Sequence, residues 1–268
     1  MTIERSAIQR FGDRFATTTY GAETYGLKTL AKLAGLAVVL APLPGCQSIT
    51  GSPNLSQVRI VDASPDAPGI DVYQGSAVLA YNLGLGTVTS YVPIAPGQYS
   101  IIVDTAGSRQ QLVSASGTFL ANGQYTVLVG NYAATLQELI LKDQSQPAPT
   151  GDIALRFIDQ SVRAGALDLY LVPSGSTIAT TRPVLTDITF NTNSGYMNIP
   201  TGTYTLVAVP TGTVPSTATP TSTLYTGAAV AYPGGSARTI VLIDTTVTTV
   251  PGIQVVTAND FDSAGEGS

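Results

Sequence analysis

Asp62, Asp66 and Asp71 lie close together around the segment Ser64-Pro65-Asp66-Ala67-Pro68-Gly69 and form the chain's best candidate polar or ligand site. Two carboxylates can hydrolyse a glycoside, and a loop of oxygen donors can hold a hard cation such as calcium. The spacing matches neither pattern specifically. Simpler roles also fit: Asp62 and Asp71 bonding turn amides or pairing with Arg59, and Ser64-Pro65-Asp66 forming an Asx-type turn. A second candidate is the set Tyr73, Tyr81, Tyr91, Tyr99, Tyr170, Tyr196 and Tyr204. Such rings can stack on sugars or anchor a protein partner, or they can pack at the rim of a β-rich core.

The chain of 268 residues has no histidine, no tryptophan and 1 cysteine. Without imidazole the Ser-His-Asp triad, the Cys-His pair and the usual zinc ligand sets are excluded. Lys142 is the sole lysine after Cys46, which leaves Ser-Lys catalysis little support, and no Gly-x-x-x-x-Gly-Lys-Ser/Thr loop is present to cradle a phosphate. We therefore expect a non-enzymatic protein, with no catalytic residue, cofactor or metal assigned. Beyond residue 45 the chain carries 7 basic and 14 acidic residues, too few cations to neutralise many phosphates, so nucleic acid is not expected as a partner.

The elements that must position these groups are strands. Apolar and polar residues alternate at period two, as in Val58/Ile60 and in Tyr99/Ile101/Val103, while Thr126/Leu128 oppose Val127/Val129. Glycine and proline interrupt these runs at Pro65 to Gly69, Gly84 to Gly86, Pro96-Gly97 and Asn122-Gly123. The chain also repeats itself. Val58-Arg59-Ile60-Val61-Asp62-Ala63-Ser64 with Ile70-Asp71-Val72-Tyr73 matches Leu155-Arg156-Phe157-Ile158-Asp159-Gln160-Ser161 with Leu167-Asp168-Leu169-Tyr170 at an offset of 97. Tyr91 and the run Ile94 to Tyr99 match Tyr196 and Ile199 to Tyr204 at an offset of 105, and Tyr125 to Val129 corresponds to Arg238 to Leu242 at 113. Copy two has thus grown twice. Asp66 gives way to Arg163 there, which argues against a shared metal ligand.

The predicted fold class is all-β, two tandem antiparallel β-sandwiches of immunoglobulin-like or transthyretin-like type. Their expected bounds are 57–143 and 152–258, with a linker at 144–151 and a C-terminal tail at 259–268.

Ahead of them, Leu33 to Gly45 is uncharged and mostly apolar, follows Lys28 and Lys32, and ends in Leu43-Pro44-Gly45-Cys46. It is shorter than the roughly 20 apolar residues a membrane-spanning helix needs, and has the shape of a signal peptide over 1–45. Leu43 to Cys46 resembles the bacterial lipobox, although Pro44 departs from it. The resemblance implies lipidation of Cys46, a tether over 46–56, and a membrane partner through the lipid. Among diderm lipoproteins, Gln47 in place of aspartate implies the outer membrane.

Val58 to Tyr73, V-R-I-V-D-A-S-P-D-A-P-G-I-D-V-Y, resembles the opening motif of the bacterial domain of unknown function 4397 family, and Tyr91 to Tyr99 resembles its second signature. The second copy resembles it less, having Ser161-Val162-Arg163-Ala164-Gly165 in place of the Ser-Pro-Asp-Ala-Pro turn. The resemblance implies an exported, often lipid-anchored or wall-associated β-rich protein without an established activity. A cell-envelope lipoprotein that serves as a non-enzymatic binding module, for an envelope protein or polysaccharide, or as a structural module is the expected function; the alternatives are a carboxylate-dependent glycoside hydrolase and a sugar-binding module. Nothing in the residues fixes the oligomeric state.

Overall fold

The computed structural model describes residues 54–214, 223–246 and 252–262. Cys46, the signal-like segment and most of the expected tether lie outside the described residues. The first eight strands are β1 (Ser56–Asp62), β2 (Ile70–Gln74), β3 (Ala77–Leu83), β4 (Val92–Ile94), β5 (Gly97–Thr105), β6 (Gln111–Phe119), β7 (Gln124–Gly130) and β8 (Gln137–Lys142). They are followed by β9 (Asp152–Gln160), β10 (Leu167–Pro173), β11 (Leu185–Ile188), β12 (Asn193–Pro200), β13 (Gly202–Pro210), β14 (Tyr225–Tyr232), β15 (Ala237–Asp244) and β16 (Ile253–Phe261).

Each set of eight folds into two four-stranded sheets, β4-β1-β7-β8 over β3-β2-β5-β6 and β12-β9-β15-β16 over β11-β10-β13-β14. The two sets correspond strand for strand. All pairings are antiparallel except β1 with β7 and β9 with β15, which run parallel. Val58, Ile60, Val127 and Val129 point into the first core with Ile70, Val72 and Ile101, while Leu155, Phe157, Ile240 and Leu242 fill the second with Leu167 and Leu169.

The Gly-x-Tyr spacing shared by the copies has a steric origin. The Tyr99 ring folds back over Gly97 and the Tyr204 ring over Gly202. A Cβ at Gly97 would lie 2.9 Å from the Tyr99 hydroxyl, and one at Gly202 3.1 Å from the Tyr204 ring. A Cβ at either position would crowd the ring, and glycine avoids that contact.

The sheets β4-β1-β7-β8 and β12-β9-β15-β16 are apolar on both faces, as sheets covered on both sides must be. On the face turned away from its own core, each contributes to a shared layer: Val61, Ala63 and Leu128 against Ile158, Val241 and Ile243. Gly130 admits the Gln160 side chain from the other sandwich, since a Cβ there would lie 2.0 Å from Oε1.

At one end of this layer four charges are buried. The Arg59 guanidinium pairs with Asp260 across the junction and donates from Nη1 to the Asn259 carbonyl at 2.8 Å. Reciprocally, Arg156 Nη2 lies 2.6 Å from Asp143 Oδ1 and Nη1 donates to the Lys142 carbonyl at 3.1 Å. Within each sandwich a threonine relays the contact. Thr126 Oγ1 accepts from Arg59 Nε at 2.8 Å and donates to Asp143 at 2.7 Å; Thr239 Oγ1 accepts from Arg156 Nε at 3.0 Å and donates to Asp260 at 2.7 Å. Tyr91 and Tyr196 complete the set, donating to Asp143 at 2.7 Å and to Asp260 at 2.9 Å. Their rings lie under the guanidinium groups of Arg59 and Arg156 at 4.8 and 4.7 Å. Each arginine therefore reaches the aspartate of the other sandwich, and two positive charges balance two negative ones.

Burial alone would disfavour the Arg59 cation, but Asp143 and Asp260 outweigh it and hold the group above its ordinary value. Burial and the neighbouring carboxylates push Tyr91 and Tyr196 up, so both stay protonated and act as donors. Removing one partner of such a set strands a desolvated charge, at a cost of about 3–5 kcal/mol. Asp260→Ala should lose about that much stability in urea unfolding; a loss below about 1 kcal/mol would contradict a closed charge set.

Candidate functional site

The three acids singled out by sequence are distributed among separate turn contacts. Asp62, at the end of β1, accepts the Ser64 amide at 3.0 Å, and Ser64 Oγ accepts the Ala67 amide at 3.2 Å. Asp71 in β2 accepts the Asn82 amide at 2.8 Å and the Gly107 amide at 3.0 Å, tying two neighbouring loops to the strand. Asn82 has a left-handed φ of 47°, and the Asp71 bond holds it there. Asp66 is exposed and accepts the Ala133 amide at 2.8 Å. Among the described residues no three acidic or sulfur ligands converge on a common point.

Copy two repeats the two buried contacts. Asp159 accepts the Ser161 amide at 2.8 Å, and Asp168 accepts the Asp187 amide at 2.9 Å and the Gly212 amide at 3.3 Å. At Arg163, which stands where copy one has Asp66, charge is matched differently: its Nε lies 3.5 Å from Asp244 Oδ1. Arg59, which sequence could pair with Asp62 or Asp71, instead joins the charge set at the junction. Its partners Asp143 and Asp260 escaped sequence reasoning because they lie at the ends of β8 and β16, outside the matched repeat. Asp260 also falls in the expected tail, whereas β16 runs on to Phe261.

The tyrosines do not form one face. Tyr91 and Tyr196 are at the junction, and Tyr99 and Tyr204 fold over their glycines. Tyr73 and Tyr170 lie on the outward faces of β3-β2-β5-β6 and β11-β10-β13-β14, where the two copies differ most. In copy two Tyr170, Val172, Val207 and Val209 form an apolar patch covered in part by Ile178. Ile178 belongs to the 3-10 turn Ile178–Thr180, inside the first insertion noted in the sequence.

Beside it opens a groove of about 740 Å³. Val172, Val207, Ile178, Leu224 and Tyr225 give it apolar lining, and Thr177 and Thr226 are among its polar lining residues. Both insertions of copy two supply lining residues, the first through Ser176 to Ala179 and the second through Thr223 and Leu224. Among the described residues no ionisable acid or base other than the Tyr225 phenol lines it. The groove can bury apolar surface and hydrogen-bond a neutral ligand, but it offers no carboxylate pair for glycoside cleavage.

Burial pushes the carboxyls of Asp62 and Asp159 up to about 6 each, partly offset by the Ser64 and Ser161 bonds. A carboxyl whose pKa is higher folded than unfolded binds more protons in the folded state, so stability falls as pH rises through the interval between the two values. For these groups that window runs from about 4 to about 6. Asp62→Asn with Asp159→Asn keeps an acceptor for each serine amide and should flatten the slope, gaining on the order of 2 kcal/mol per site relative to the parent between these limits. Urea unfolding at intervals of half a pH unit reads this directly, and parallel curves for the two proteins would contradict it.

No curated protein matches the chain. A solved structure concerning alpha-glucan binding by a streptococcal virulence factor is similar over 57% of this chain and 80% of its own, at 13% identity and a TM-score of 0.22. A candidate cell adhesion protein from Bacteroides fragilis NCTC 9343 is similar over 79% of this chain and 99% of its own, at 11% identity and a TM-score of 0.20. Residues 56–170, which span all of the first sandwich, β9 and the start of β10, match the family model described as domain of unknown function DUF4397.

Proposed function

We propose that the chain is a non-enzymatic binding module of the cell envelope, tethered through a lipid on Cys46, which presents the outward face of its second sandwich to a neutral envelope polysaccharide. One observation carries the binding role: both segments that lengthen copy two contribute to a single groove of about 740 Å³ whose lining has no carboxylate, lysine, arginine or histidine. Chain growth that serves only to connect strands has no reason to meet at one cavity. A sugar ring presents C–H faces and peripheral hydroxyls, which suit a lining that combines the apolar Val172 and Val207 with the hydroxyl-bearing Thr177, Thr205 and Thr226. Asp62 and Asp71 are committed to turn amides, so the acids that a hydrolase would need serve the loops instead. The tether keeps the module at the membrane surface, where two signals or a doubly acylated anchor give stable attachment.

Thr226 is exposed and lines the groove, so Thr226→Arg should obstruct it without touching either core. The variant should lose at least about tenfold in affinity for isolated envelope polysaccharide, the effect of removing about 1.4 kcal/mol of contact. Equal binding by both proteins would refute the groove, and release of reducing ends by the parent would favour the hydrolase. Fractionation of cells carrying Cys46→Ser tests the tether, which predicts loss of the protein from the outer-membrane fraction.

A further inference from the structure

We infer that the outward face of the first sandwich is a receptor for an arginine side chain of a partner polypeptide, occupied in this structure by the chain's own Arg109. The site is separate from the groove of the second sandwich and does not depend on it.

The register of β2 against β5 sets Asp71 directly opposite Asp104, with both side chains on the outward face. Both residues are 4% exposed. Like charges in opposed positions repel, so a pair of buried carboxylates calls for a compensating cation. Asp71 has its turn amides, but Asp104 Oδ1 is buried and has no hydrogen-bond partner. It is an acceptor left open beside an aromatic surface. Tyr73 lies two residues along β2 on the same face, and Tyr81 meets its edge at 6.1 Å with an interplanar angle of 82°. The Arg109 guanidinium sits over the Tyr73 ring at 4.1 Å. The guanidinium thus stacks on a ring with a second ring beside it, on the same face that carries the two opposed carboxylates.

Arg109 is an easily displaced occupant. It comes from the exposed turn between β5 and β6 and is itself exposed, so it can swing away without opening the core. Tyr81, at 61% exposure, is already available to a partner. In copy two the same face has lost this chemistry: Val209 stands where Asp104 does, Thr186 where Tyr81 does, and Tyr170 belongs to the apolar patch near Ile178. Asp104 and the second ring are therefore not needed to build the sandwich, whereas Asp71 is kept as Asp168 for its turn amides. A guanidinium suits the site better than an ammonium, because its plane stacks on a ring while its edge forks toward carboxylates.

The test titrates the full chain with Nα-acetyl-arginine amide, and with the lysine and glycine analogues, following the tyrosine ring signals by NMR. Arg109→Ala removes the internal competitor and should bind the arginine probe about tenfold more tightly than the parent, with shifts at Tyr73 and Tyr81. Adding Asp104→Asn, or Tyr81→Ala as an exposed alternative that spares the core, should reverse that gain. Equal binding of the lysine probe, absence of any gain in Arg109→Ala, or indifference to both added changes would overturn the assignment. Thr226→Arg should leave arginine binding unchanged, so this site and the polysaccharide groove can fail separately.

Discussion

The reciprocal charge set at the junction is the constraint on which the rest depends. A desolvated arginine is tolerable only where its cation is balanced and its donors are used, and neither sandwich satisfies its own arginine alone. Arg59 needs Asp260 and the Asn259 carbonyl; Arg156 needs Asp143 and the Lys142 carbonyl. The apolar layer of Val61, Leu128, Ile158 and Val241 supplies non-directional adhesion, while the charges and threonine relays select one alignment.

That alignment decides which surfaces remain for function. With β4-β1-β7-β8 and β12-β9-β15-β16 turned toward each other, the sheets left facing outward are β3-β2-β5-β6 and β11-β10-β13-β14. The duplicated residues divide along the same line. Positions facing the junction are kept in both copies: Arg59 and Arg156, Tyr91 and Tyr196, Thr126 and Thr239. On the outward sheets the copies part, one carrying Asp104, Arg109 and Tyr81, the other Val209 and the two segments that build the groove. One duplicated scaffold thus holds two chemically different faces.

Much of this organisation is legible in the sequence. The period-two runs give the strands, and the offsets of 97, 105 and 113 give both the duplication and the places where copy two lengthened. The motif around Ser64 also carries its own explanation, because Asp62, Ser64 and Asp71 act on nearby amides. What the residues could not disclose is long-range. Arg59 finds its aspartate 201 residues away, and no local spacing encodes that pairing. The parallel pairing of β1 with β7 is similarly invisible, since alternation fixes the face of a strand and not its neighbour. A clearer signal was present in Leu128 opposed to Val127 and Val129, apolar on both parities, which marks a strand covered on both sides.

Scanning calorimetry of the chain with Cys46→Ser tests the central claim most directly, because it reads whether the sandwiches melt as one unit. If the charge set and apolar layer couple them as described, a single transition should appear with equal calorimetric and van't Hoff enthalpies. Two resolved transitions, or a calorimetric enthalpy about twice the van't Hoff value, would mean that each sandwich melts independently, and would contradict the account.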